Sequence, residues 1–592
     1  MADAAPIDWA YGQTDGLHHH TAIRGRCWQS GVCSDQARRP AMRAHVARHS
    51  MAMWPAISPS PTAPNRPTRL RVHRRVSLAP NRARRPLRSP VGRLPSIISH
   101  FHSARAIALA MGRPLPASIV TMNNPILSYT LNLISVRPTR AVRVLRMFTI
   151  GLAGVFAASS ALAIDYYVSA AGADGNPGTA SAPWRTLAKV NATSLAPGDR
   201  VLFRRGDAWA ETLRPSASGA QGNPITYADY GSGALPMITG ASNNDCIGWT
   251  SARSHLVFRN LHLKDCGQPS GGNRGGINVY SNSGKSRDIT VENSLIENAQ
   301  TWNIYMSGID ELVIRGNTLR NAELQHGIYL DGSLGADNAL IEDNHIYGNP
   351  DMCVQFNSNG QNRLRNLVLR YNRLENCGAG GLNNIGADAL LAHHNLFHGA
   401  MPAIYNGCDG ADSGCSRGAI NGIYANNTIV TSGGGWATCF SNSSSLGTPT
   451  FSTFVNNICV HDAARGPAFE NVEAISGQRV DFNLFFSTRT STLAFVWADR
   501  EYQGLASYRD GTGNEANGLS ADPAFADRAA EDFRLSPGSP AVDSGTTLGY
   551  SRDLAGVAVP QGAAPDRGAF ELADDAGGSN PPATPEGLQI EF

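Results

Sequence analysis

The chain has 592 residues, 42% of them hydrophobic and 16% charged, with 61 Gly, 34 Pro and a formal net charge of +3 at pH 7. That net charge hides two unlike parts: residues 1–146 hold 22 Arg, no Lys and four acids, whereas from residue 147 onward 28 basic residues face 43 acidic ones. The second part, at −15, lacks the basic footprint that nucleic-acid binding needs.

Residues 1–146 are Pro-rich and carry no apolar period. They read as a basic nucleic-acid arm or, the better reading, as a leader translated from a start codon placed too early on a GC-rich gene. Next, Arg137, Arg140, Arg143 and Arg146 precede the apolar run Met147–Ala163, which ends Ala161-Leu162-Ala163. Basic flank, short apolar run and small-x-small end form a secretory signal peptide, with cleavage expected after Ala163 and initiation near Met122. The run is short for a membrane span and no second one follows. A secreted or periplasmic monomer without a membrane span is expected.

Residues 164–245 carry no repeat of their own and are expected to cap the array that begins at residue 246. The amphipathic piece Trp184–Val190 predicts a short helix that plugs the open end of a coil.

From residue 246 to 487 the chain repeats. An asparagine closes a short apolar phrase nine times, as VFRN, TVEN, VIRGN, LIEDN, VLRYN, LAHHN, YANN, FVNN and DFN. These phrases end at Asn260, Asn293, Asn317, Asn344, Asn372, Asn395, Asn427, Asn457 and Asn483, spaced by 23 to 33 residues. Each unit is too small to bury a core alone, and its β-branched residues alternate with polar ones between Gly and Asn. The expectation is a stack of rungs of parallel strands, with asparagines piled at roughly 4.8 Å so that their amides bond along the axis. Residues 488–573 are expected to hold the last rungs and a closing segment, and 574–592 a Gly/Pro-rich linker-like tail.

Several stretches resemble secreted right-handed parallel β-helix proteins of the pectate-lyase-like superfamily. They are YYVSAAGADGNPGT, PWRTL, PGDRVLFRRGD and GNPITY before the repeats, and DPAFAD, DFRLSPGSPAVDSGT and PDRGAFE after them. The resemblance implies an all-β, right-handed parallel β-helix that acts on carbohydrate. It does not choose the chemistry, because the superfamily holds lyases, hydrolases, epimerases and binding proteins.

Eight cysteines lie beyond residue 163, and neighbouring ones pair off 20, 24, 7 and 20 residues apart. An even number in an exported chain suggests disulfides, local ones on this spacing, with buried free thiols as the alternative. No CxxC motif supports zinc or thioredoxin-type chemistry.

Within the repeats, Ile277, Ile304, Ile328, Val354, Leu382 and Ile404 align as inward residues of one strand per unit. Alternation then turns Asn278, Tyr305, Tyr329, Gln355, Asn383 and Tyr405 outward, with Tyr280, Ser307, Asp331 and Asn357 in a second outer column. Aromatic rings, amides and a carboxylate suit sugar rings, although a solvated face of good β-formers gives the same pattern. His326, Tyr329 and Asp331 are the densest titratable cluster: candidate proton acceptor, proton donor and orienting carboxylate. His326 capping a turn is the alternative, and Gly327 beside it is expected to leave room for a ligand. Arg315 and Arg370 are candidates to bind a substrate carboxylate or, as in some lyases of the superfamily, to act as base. His345 is a further binding candidate. Asp409 and Asp412 could hold Ca²⁺, although their spacing matches no specific calcium loop.

The reading is a secreted enzyme acting on an acidic, uronate-containing extracellular polysaccharide, cleaving it by β-elimination. An inverting glycoside hydrolase, a C5-epimerase and a non-catalytic carbohydrate-binding adhesin remain open on the same scaffold.

Overall fold

The computed structural model describes residues 163–268, 273–358, 364–399, 402–408, 419–444 and 449–573. The signal-like run up to residue 162, the Arg-rich leader, the tail from 574, and Asp409, Asp412 and Cys415 lie outside the described residues.

Almost every strand pairs in parallel with the strand one repeat later, as a coil of successive rungs requires. Each rung contributes to three faces. The rung from 302 to 320 shows the pattern: Trp302–Arg315 runs along face one, bends at Gly308 (φ 69°), and continues along face two. A tight corner then leads to Thr318–Arg320 on face three. The inward residues are those the alternation predicts: Ile277, Ile304, Ile328, Val354, Leu382 and Ile404 lie in register and are all buried.

The corner between faces two and three explains the asparagines. It begins with a residue of positive φ, such as Gly316, Asp343, Tyr371, His394, Asn426, Asn456 or Phe482. That left-handed residue turns the strand, and the next side chain points into the corner. There Asn317, Asn344, Asn372, Asn395, Asn427, Asn457 and Asn483 stack. From Asn317 to Asn457 each Nδ2 donates at 3.0 Å to the Oδ1 of the following asparagine, and backbone N–H groups share that oxygen. Buried amides so paired are fully accounted for, which a lone buried amide would not be.

Two asparagines of the repeating phrase do not belong to this ladder. Asn260 (φ 55°) and Asn293 (φ 50°) occupy the left-handed turn position, one residue earlier. Ser294 stands at the ladder position, where its Oγ accepts from the Leu261 N–H and its own N–H donates to Asn317 Oδ1. Both positions favour Asn for separate reasons, so the phrase aligned them one residue out of step.

Among the described residues, the local disulfides Cys246–Cys266, Cys353–Cys377 and Cys439–Cys459 each staple about one turn of the coil. At one end the helix Leu187–Ala192, N-capped by Thr186, buries Leu187 and Val190 against the first rungs, as a plug must. At the other end the hairpin of Ala494–Trp497 and Arg500–Gln503 pairs antiparallel and ends the parallel ladder on face one. The helix Leu505–Thr512 lays Tyr508 over Phe495. The chain then returns along face three, where Phe533, Leu535, Ala569 and Phe570 cover Leu396, Val430, Ile458 and Leu484. No helix among the described residues is long and apolar enough to cross a membrane.

Candidate active site

Face one carries the outward columns in the predicted register. Asn278, Tyr305, Tyr329, Gln355, Asn383 and Tyr405 are consecutive partners across six rungs, and the column continues to Ser441 and Glu470. Beside it run Tyr280, Ser307, Asp331 and Asn357, then Ile385, Gly407 and Ser443. The Tyr405 ring lies down over Gly407, where any Cβ would sit 2.4 Å from it, and its hydroxyl donates to Ser443 O at 3.1 Å.

The chemistry concentrates at the Tyr305 and Tyr329 rungs. Tyr305 Oη donates to Asp331 Oδ2 at 2.5 Å, and the N–H and Oγ of Ser333 donate to Oδ1, both at 2.7 Å. Burial and the adjacent carboxylate push the Tyr305 phenol far above its ordinary range. It cannot ionise by itself, but its proton already points at an acceptor. Trp302 packs on the Tyr305 ring with centroids 4.6 Å apart, and Tyr329 meets the same ring edge-on at 5.4 Å. Tyr329 Oη accepts from Asn357 Nδ2 at 3.0 Å. Tyr280, 40% exposed, opens the strip to solvent.

His326 sits behind this surface. It is 3% exposed, its Nδ1 accepts from the Met352 N–H at 3.3 Å, and burial pushes the imidazole down to about 3. Its ring meets Tyr329 edge-on at 5.1 Å. The imidazole is thus neutral; Asp351 Oδ2 stands 3.5 Å from its Nδ1, and the ring supports both Tyr329 and the start of the next strand. Gly327 serves packing instead of ligand access: a Cβ there would meet Ile346 Cγ2 at 2.4 Å.

Other expected residues are not brought to this cluster. Arg315 and Arg370 stand on face two, past the Gly308 bend, where they alternate with glutamates. Arg315 Nε bonds Glu292 Oε2 at 2.9 Å, and Arg370 bonds Glu342 Oε2 at 2.8 and 2.9 Å. His345 lies on face three, bonded through Nε2 to Glu375 Oε2 at 2.6 Å and packed on Tyr347. Asn278, Gln355 and Asn383 do share the strip: Asn278 donates to Asp245 Oδ1 at 3.0 Å, and Asn383 donates to Gln355 Oε1 at 3.2 Å. Among the described residues no group of three His, Cys, Asp or Glu is arranged to hold a metal ion. Asp331 accepts from three donors.

Sequence reasoning missed three residues of this face. Trp302 lies at the strand's beginning, three residues before Tyr305 and outside the two outward columns. Arg274, just before Gly275–Tyr280, approaches Asp245 at 3.5 Å. Glu470 accepts from Ser441 Oγ at 2.6 Å, and burial raises its carboxyl. Its rung reads Phe469-Glu470-Asn471, without the Ile-Tyr phrase that marks earlier units, and only the register exposes it.

Residues 245–428 match the family model described as "Right handed beta helix region". This segment is a right-handed parallel β-helix. Over 444 residues, 64% of this chain and 92% of the relative, the β-helix chain is 26% identical to "Uncharacterized protein YwoF" of Bacillus subtilis (strain 168). Among solved structures it is similar to the GH136 lacto-N-biosidase from Eubacterium ramulus, with TM-score 0.42 and 18% identity over 55% of this chain and 64% of that one. The β-helix chain thus spans just under two thirds of that enzyme. It is also similar to pectate lyase Pel9A, with TM-score 0.37 and 15% identity over 69% of this chain and 96% of that one. Neither structural likeness bears on the chemistry.

Proposed function

We propose that this β-helix binds an extended extracellular polysaccharide along the strip from Asn278 to Glu470 and cleaves it by β-elimination at the Tyr305–Asp331 dyad. The observation that carries the reading is the 2.5 Å bond from Tyr305 Oη to Asp331 Oδ2 on a face lined with rings and amides. A phenol so far above its usual range is a poor base alone. Coupled to a carboxylate, it becomes a relay: the sugar C5 proton passes to Tyr305 Oη while the phenolic proton passes to Asp331. The electrons of the C5–H bond form the C4–C5 double bond, the C4–O4 bond breaks, and O4 is protonated from the same pair. Arg274 supplies positive charge for the uronate carboxylate, and His326 and Asn357 position Tyr329 as the wall of the site. No step here needs a metal.

One distance argues against Asp331 and Glu470 as an inverting pair. The next carboxylate in the outer column, Glu470, lies five rungs from Asp331, roughly 24 Å at the inter-strand spacing. An inverting pair needs about 6.5–9.5 Å. The test is a panel of uronate polymers, with and without chelator. Ultraviolet absorbance from unsaturated chain ends supports elimination, whereas new reducing ends without that absorbance point to hydrolysis. Binding without cleavage of any polymer would leave a non-catalytic carbohydrate-binding protein.

A further inference from the structure

A buried carboxylate lies beside the expected cleavage point. Asp199 is 2% exposed, and among the described residues no basic side chain bonds it. Its neighbour Arg200 is committed to Asp165, with Nε bonded to Oδ1 at 2.6 Å. Asp199 Oδ2 accepts from the Ala196 N–H at 2.8 Å, and Oδ1 accepts from the Ile164 N–H at 2.9 Å. Buried carboxylates ordinarily find a cation, because taking an unpaired charge out of water is costly. Two backbone donors leave this one without a positive charge.

The local sequence builds that arrangement. Ala196-Pro197-Gly198-Asp199 is a tight turn: Gly198 takes φ 93°, and the Asp199 N–H donates to Ala196 O at 3.1 Å. The turn aims the Asp199 side chain at the residue that precedes the first strand, Asp165–Val168. The Arg200 N–H donates to Ile164 O at 2.9 Å, so Ile164 is fixed through both its N–H and its carbonyl. The Ile164 side chain is unpacked, the residue being 49% exposed, and Ala163 is exposed as well. Severing the Ala163–Ile164 bond therefore disturbs no packed core.

The residue that Asp199 holds is the one that follows the small-x-small end Ala161-Leu162-Ala163. We propose that removal of the leader at this bond is a maturation step, in which the new Ile164 α-ammonium becomes the missing cation of Asp199. Water is the co-reactant: the C–N bond breaks, Ala163 leaves as a carboxylate, and the Ile164 nitrogen gains two protons to become –NH₃⁺. One peptide N–H is thereby replaced by three donors that carry a full charge, and hydrogen bonds between ions are shorter and stronger than neutral ones. Before cleavage the buried charge weakens the first rung; afterwards it ties that rung down. The cap is completed in the chain freed of its leader, whatever reaction face one performs. The charged and titratable groups beside the pair are Asp165 and Arg200, which neutralise each other, and the Tyr166 phenol.

The experiment expresses the full chain, and the same chain begun at Met122, in an exporting bacterium, each as parent and as Asp199→Asn. The exported protein is sequenced from its N-terminus, and acylation of its α-amine is followed by mass spectrometry across pH. Lys189, Lys264 and Lys285 give an internal reference. The proposal predicts a sequence that begins IDYYV. The amine's reactivity midpoint should lie about one pH unit above the roughly 7.7–8.0 of a free terminus, so that at neutral pH it reacts about tenfold slower than in Asp199→Asn. Burial without the ion pair would lower that midpoint, because it disfavours the charged form. Where Asp199→Asn does not fold, the parent's midpoint decides alone. A midpoint at or below about 8 overturns the proposal. So do equal rates in parent and variant, a first residue other than Ile164, or a leader retained from both starts.

Discussion

Asn483 Nδ2 donates to Glu515 Oε1 at 2.6 Å, and Asn483 N–H donates to Oε2 at 3.1 Å. The asparagine ladder passes donors in one direction, so its last member needs a partner that only accepts. A carboxyl group offers two acceptor oxygens there, where another asparagine would leave an N–H₂ group unmatched, and burial raises Glu515 to about 8. Asn395→Ala, in mid-ladder, should therefore remove an acceptor that serves Asn372 Nδ2 and its backbone N–H. The expected cost is about 3 kcal/mol, from leaving buried donors unpaired. Asn293→Gly, at the left-handed turn outside the ladder, should cost less than about 1 kcal/mol. Chemical denaturation of the two variants checks this; equal losses would contradict the assignment.

Glu571 gives the returning C-terminal segment a pH dependence. Its Oε1 and Oε2 accept from the Gln561 and Asp566 N–H groups, and burial raises the carboxyl from 4.5 to about 7. Between those values the folded protein holds a proton that the unfolded chain has released, so this group's contribution to stability falls as pH rises. Glu571→Gln does not titrate. The stability advantage of the parent over Glu571→Gln should shrink from pH 4.5 to 7 and level off above. A gap that widens over that range would contradict the burial argument.

His326 has the opposite sign. Pushed down to about 3, it stays neutral in the folded protein while the unfolded chain takes up a proton below about 6.5. Its contribution is present above pH 6.5 and is lost as pH falls toward 3. His326→Asn should flatten that acid limb in a melting series. As a positioning residue its loss should raise KM more than it lowers kcat, with no shift of the pH–rate profile; a shifted profile would make His326 a proton carrier.

Much of the fold was legible because a parallel coil repeats the same demands on every rung. Period-two alternation around Ile304, Ile328 and Val354 determined which neighbours face outward, and the register followed. Asn293 misled because the left-handed corner and the ladder both select asparagine. Arg315 and Tyr305 share a strand, but the bend at Gly308 sends them to different faces, and alternation carries no information about bends. His326 reads as an exposed base in the phrase HGIYLD, and only three-dimensional packing buries it. Glu470 escaped because its rung has lost the phrase used for alignment.

Arg274 offers a check on charge. If it receives the uronate carboxylate, Arg274→Ala should raise KM about tenfold with little change in kcat, and added salt should reduce the parent's kcat/KM more than the variant's. Equal salt sensitivity would place the carboxylate elsewhere.

The most direct measurement is the rate of unsaturated product formation by Tyr305→Phe on the polymer that the parent cleaves, with binding followed in parallel. Tyr305→Phe keeps the ring against Trp302 and removes only the oxygen between sugar and Asp331, so turnover should fall by about a thousandfold or more while binding holds within a few fold. Near-parental turnover by Tyr305→Phe would contradict the relay and, with it, the site.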